Sequence, residues 1–123
     1  MVEKKYVDFI EKIINMTKEK KIKWSYLDEN ERIYRKMGWI NGLIETPNFN
    51  TEKSFITKID NFYIVIRTEL NNLTDLYVIP STFKNICLLK AEQYGEHITR
   101  LYNIVQMYFP DAEVFINSFL QES

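Results

Sequence analysis

Phe62-Tyr63-Ile64-Val65-Ile66-Arg67-Thr68 is the stretch on which the fold turns. A strand in an antiparallel sheet with one wet face alternates apolar and polar residues. This one does not. Phe62, Ile64 and Ile66 point one way, Tyr63 and Val65 the other, and Arg67 alone is charged. Leu76 to Pro80 repeats the pattern, with Leu76, Val78 and Pro80 opposed by Tyr77 and Ile79. Both strands therefore need cover on both faces.

Two covers are open. The N-terminal helix packs on one face and the C-terminal pair on the other, or all helices share one face and the second face meets another subunit. Tyrosine is enriched where one end of a side chain stays wet at an interface, and two-fold dimers are the commonest oligomers. The second cover is favoured, and it makes Tyr63, Val65, Tyr77 and Ile79 the interface of a homodimer.

Outward from this ribbon, Asp60-Asn61 reads as a tight turn and Ser54 to Ile59 as the strand before it. Asn71-Asn72 marks the next turn, Ser81 to Asn85 another, and Ile86 to Leu89 a further short strand. Towards the N-terminus, Val2, Tyr6, Phe9, Ile10, Ile13, Ile14 and Met16 form an amphipathic stripe over residues 2–20, the spacing of a helix. Lys18, Lys20 and Lys21 crowd its last turn, where positive charge suits the helix dipole. Ile22, Trp24 and Tyr26 alternate with polar residues as in a half-buried strand.

Asp28 with Glu31 fits the cap of a short helix through Met37, stopped by Gly38. From Gly38 to about Lys53 the pattern dissolves into a long loop, a feature often functional in a small domain. At the C-terminal end, Tyr94, Ile98, Leu101, Val105 and Tyr108 form a second helical stripe. Pro110 stops it, and Asp111 caps a last helix bearing Phe115, Ile116, Phe119 and Leu120. The expected fold is α+β in one domain over residues 1–123. It has an N-terminal helix, an antiparallel meander of three to five strands, and two C-terminal helices packed on the sheet. That order of elements is shared by many small bacterial proteins and transfers no site; association with a mobile element or a defence system is part of the functional expectation.

Bulk properties bound the function. A chain of 123 residues carrying 46% apolar side chains can bury a core without a disulfide or metal staple. Cys87 is the sole cysteine, so no intrachain disulfide forms, and a reducing cytoplasm is the expected location. The N-terminal residues have no apolar segment of a signal peptide, and no apolar run approaches membrane-spanning length. No membrane association is expected. Ile, Lys, Asn, Phe and Tyr, the dominant residues, all have codons rich in A and T. The aromatic content is accordingly weak evidence for a stacking surface.

Chemistry-bearing residues are sparse. His97 is the sole histidine, and nucleophilic catalysis needs a nucleophile, a base and an orienting acid together. Cys87 lies between apolar neighbours, which do not activate a thiol. One Cys and one His fall short of a zinc or iron ligand set. Gly38, Gly42 and Gly95 form no phosphate-binding motif. Glu96 with Arg100 reads as a surface pair one helical turn apart. Neither enzyme activity, cofactor nor metal is expected.

Three functions stay in play. The leading one is a non-enzymatic interaction or regulatory protein, self-associating or bound to a protein partner. The second is nucleic-acid binding through Lys18 to Lys36, where Trp24, Tyr26 and Tyr34 are interleaved with basic residues. Residues 1–40 carry ten basic and seven acidic side chains, and residues 41–123 six and ten. An excess of three is slight, and nucleic acid is the weaker partner. The third is a small-ligand pocket where the Gly38–Gly42 loop closes over Trp24, Trp39 and Arg67.

Overall fold

The computed structural model describes residues 2–30, 32–33, 49–108, 116–117 and 119–121. Helix α1, Lys4–Lys18, buries Ile10, Ile13, Ile14 and Thr17, the stripe read from the sequence. Its exit is sharply defined. Lys20 sits in the left-handed region at φ 59°; its N–H donates to the Thr17 carbonyl at 3.1 Å and that of Lys21 to the Met16 carbonyl at 2.9 Å. These are the two bonds of a Schellman close. An L-residue in that conformation costs about 1–2 kcal/mol, and glycine costs about 0.5–1 kcal/mol more in unfolded-chain entropy. Lys20→Gly is therefore expected to stabilise the protein by about 0.5–1 kcal/mol, a rise of a few degrees in Tm. An unchanged or lower Tm would show that the Lys20 side chain contributes more than its charge.

Five strands follow as an antiparallel meander in the order β1-β2-β3-β4-β5. They are β1 Ser25–Tyr26, β2 Phe55–Ile59, β3 Phe62–Thr68, β4 Thr74–Pro80 and β5 Cys87–Leu89. The turns lie where the sequence placed them, at residues tolerant of positive φ. Asp60 at 54° opens the two-residue hairpin between Ile59 and Phe62, and Asn72 at 71° and Asn85 at 58° serve the next two connections. Phe83 at φ 61° is the costly one. Its ring stacks on Tyr63 at 6.3 Å between centroids, which helps to hold it there.

The alternation at Ile22, Trp24 and Tyr26 is real but its pairing is brief. Only Ser25 and Tyr26 meet β2, opposite Ile56 and Phe55. The helix exit consumes the residues before them, and a 3₁₀ turn, Leu27–Glu29, ends the strand. Asn30 rather than Asp28 caps the helical residues that follow, its side-chain oxygen accepting from the Ile33 N–H at 3.4 Å. The rest of the helix expected up to Met37, and the Gly38–Gly42 loop, lie outside the described residues.

Helix α2, Ala91–Tyr108, buries Tyr94, Ile98, Leu101 and Val105. Asp75 on β4 caps it from outside, accepting from the Ala91 N–H at 2.7 Å. Helices α1 and α2 run parallel, side by side. The Glu3 N–H donates to the Tyr94 hydroxyl at 3.1 Å, and further along Arg100 pairs with Glu11. Both helices cover one face of the sheet, enclosing Trp24, Phe55, Ile64, Ile66, Leu76 and Leu89. Half-buried Tyr102 stands beside Phe55. Burial pushes its phenol above the ordinary value, Tyr26 adds to the rise, and a hydrogen bond with Gln106 opposes it.

The second face is covered too, by neither of the expected covers. Val65, Tyr77, Ile79 and Ile56 are buried with Leu27, Ile33 and Phe49, and Tyr63, Phe83, Ile86 and Leu88 pack at the margin. The lid comes from the 3₁₀ turn carrying Leu27, the helical residues at Ile33 and the segment carrying Phe49. Residues 116–117 and 119–121 are helical, where a last helix was expected, with Ile116, Phe119 and Leu120 each exposed over about half of their surface or more.

Candidate functional site

Of the four residues expected at a homodimer interface, Val65 and Ile79 are 0% exposed and Tyr77 is 2% exposed. Tyr63 is half-buried against Phe83. In the folded chain Val65, Tyr77 and Ile79 are buried with Leu27, Ile33 and Phe49 of the same chain, and Tyr63 stands at the margin of that cluster.

The expected ligand trio is not assembled. Trp24 belongs to the helix-covered core, its indole N–H donating at 3.0 Å to the Thr17 hydroxyl, which itself donates to the Ile13 carbonyl at 2.8 Å. Arg67 lies on the opposite face, following Tyr63 and Val65 along β3, with its guanidinium 5.5 Å from the Phe49 ring. Trp39 lies outside the described residues. Arg67 instead joins a buried polar seam that fastens the segment 49–54 to β3. It pairs with Glu69, while the Asn50 N–H donates to the Thr68 carbonyl at 2.8 Å. The Thr68 N–H donates to the Ser54 hydroxyl at 3.0 Å, and the Thr68 hydroxyl donates to the Lys53 carbonyl at 2.6 Å. This seam holds Phe49 over the second face.

Among the described residues of the basic region, the lysines face outward while Trp24 and Tyr26 pack inward. Lys18, Lys20, Lys21 and Lys23 are exposed, whereas Trp24 is buried and Tyr26 stacks on Phe55 at 5.3 Å. Tyr34, Arg35 and Lys36 lie outside the described residues. His97 is half-buried on α2, and its Nδ1 has no hydrogen-bond partner among the described residues. No group of three or more potential metal ligands comes together among the described residues. No described helix is long and apolar enough to cross a membrane.

Two features remain as candidates. The first is a groove of about 280 Å³ lined by Glu3, Tyr6, Cys87, Leu88, Leu89, Gln93 and Tyr94. It exists because α1 and α2 begin at the same end of the sheet, beside the edge strand β5. A kink at Tyr94, φ −119° and ψ 15°, sets the first turn of α2 off the helix axis. Tyr6 meets Tyr94 edge-to-face at 6.0 Å and 86°. None of these seven residues is marked as a groove residue by the sequence. The available signal was the shortness of the strand at Ile86 to Leu89, which marks a sheet edge rather than a centre.

The second is a set of exposed apolar side chains near the C-terminus. Met107, Tyr108, Ile116, Phe119 and Leu120 are between 42% and 70% exposed. Ile116, Phe119 and Leu120 have the three- and four-residue spacing of one helical stripe. Comparison with protein-family models, curated proteins and solved structures finds no match to this chain.

Proposed function

We propose that the protein is a non-enzymatic interaction or regulatory protein that acts as a homodimer, in a reducing cytoplasm that suits its single free thiol. One observation carries this reading: five large apolar side chains, Met107, Tyr108, Ile116, Phe119 and Leu120, stay exposed although both faces of the sheet are closed without them. Large apolar side chains gathered on a surface mark association sites more often than chance allows. A two-fold interface needs only one self-complementary patch, and an i, i+3, i+4 stripe can pack on its own copy. The net charges of +3 over residues 1–40 and −4 over residues 41–123 give two copies opposite charges to bring together.

The test is the mass in solution by light scattering, across micromolar concentrations. The expected result is twice the chain mass, falling to one chain in the double variant Phe119→Asp, Leu120→Asp, with the far-UV circular dichroism unchanged. A single-chain mass for the parent protein would overturn the reading.

A further inference from the structure

We propose that the groove beside β5 is a docking site for an extended basic peptide, which adds to the sheet as a sixth strand. The proposal is independent of self-association through the C-terminal residues. β5 is the last strand of the sheet, bonded to β4 on one side and to no described strand on the other. Sheet edges are normally blunted by shortness, lysine, proline or a bulge, and β5, at three residues, has the first of these. The run Ile86-Cys87-Leu88-Leu89 has neither lysine nor proline, and all three residues of β5 line the groove. The opening therefore runs along the outer edge of the strand, where a peptide backbone pairs in strand addition. The other edge, β1, has only two residues.

The wall opposite β5 selects the side chain. Tyr6 and Tyr94 form an aromatic corner with Glu3 beside it. The Glu3 carboxylate makes no capping bond at the start of α1, and it has no ion pair among the described residues. The Tyr6 ring already accepts an ammonium, with Lys5 Nζ 4.9 Å from its centroid. A carboxylate with no ion pair among the described residues, next to an aromatic ring, favours a lysine or arginine side chain. Half-buried Cys87, on the same face as Tyr6 and Tyr94, lies along its aliphatic stem. Tyr94 is fixed because its oxygen accepts from the Glu3 N–H, so the corner is built before a ligand arrives.

The test is a titration of the full chain, followed by amide chemical shifts, with three capped pentapeptides. They are Val-Thr-Lys-Thr-Val, its counterpart with Glu for Lys, and the lysine peptide N-methylated at alternate backbone positions. The lysine peptide is expected to shift the amides of Cys87 to Leu89 and of the first turns of α1 and α2. The N-methylated peptide should lose binding, because the added strand needs its N–H groups. The Glu peptide should bind more weakly than the Lys peptide. Glu3→Gln, a surface change that leaves the fold intact, should weaken the lysine peptide about three- to fivefold. The proposal is overturned if the lysine peptide causes no shift at millimolar concentration, if shifts fall elsewhere, or if the Glu peptide binds equally well. It is also overturned if β5 amides prove protected in proportion to protein concentration, which would place a second copy on this edge.

Discussion

Ile79→Asp is expected to unfold the chain, leaving no native far-UV or near-UV circular dichroism at room temperature. Ile79 is completely enclosed among Leu27, Ile33, Phe49, Val65 and Tyr77. An aspartate there loses the apolar contacts of isoleucine and brings a carboxylate into a space without a partner for it. Even if the group stays protonated, loss of packing and desolvation of the acid together exceed about 4–5 kcal/mol. That is a large part of the roughly 5–15 kcal/mol that holds a domain of this size together. Leu70→Asp is the control. Leu70 is 69% exposed in the β3–β4 turn, so its substitution should move stability by no more than about 0.5 kcal/mol. An Ile79→Asp protein as stable as the parent would mean that the second face is open to water in solution, and the intrachain lid would have to be given up.

That prediction separates what the sequence could convey about the fold from what it could not. Apolar residues on both sides of β3 and β4 required two covers, and two covers are present. The strand pattern carried no information on their source, because Leu27 and Phe49 are lone apolar residues outside any period and Ile33 belongs to a short helical stretch. Helical stripes were legible for the opposite reason. Ile10, Ile13 and Ile14, and Ile98, Leu101 and Val105, repeat with the pitch of the helix and share one core. The turns were legible because Asp60, Asn72 and Asn85 are residue types that accept positive φ. Exposure of Ile116, Phe119 and Leu120 was not legible. An apolar stripe specifies that a helix wants a neighbour but does not say which chain supplies it.

The candidate sites were less readable than the fold. Trp24 and Arg67 looked compatible in one pocket because each is a large side chain near an aromatic or apolar run. Strand parity sends them to opposite faces, and their distance in sequence hides it. The groove at β5 arises from three elements remote in sequence, and it depends on the parallel setting of α1 and α2. No local pattern encodes that setting. It follows from Asp75 capping Ala91 and from the Glu3–Tyr94 bond, contacts that span 16 and 91 residues.

Arg67→Ala is the second large effect, expected to cost about 3 kcal/mol and to loosen the 49–54 segment. Arg67 is 3% exposed, pairs with Glu69, and lies over Phe49. Breaking a fully buried ion pair costs about 3–5 kcal/mol, because the surviving charge stays out of water. Here Glu69 is partly exposed and can rehydrate, which lowers that part of the cost. Loss of the guanidinium and its stem removes packing against Phe49 and leaves a void, which restores part of it. Arg67→Met keeps most of the stem and should cost less than Arg67→Ala, while Glu69→Gln should cost least. Urea melts give the order, and hydrogen exchange at Asn50 and Thr68 reports the seam, since the Asn50 N–H donates to the Thr68 carbonyl and the Thr68 N–H to Ser54. Faster exchange at these two amides in Arg67→Ala, with the α1 and α2 amides keeping their protection beyond the change in global stability, is the expected signature of a lid released from the second face. Equal stability of Arg67→Ala and the parent protein would show that Phe49 is held there by the backbone bonds alone.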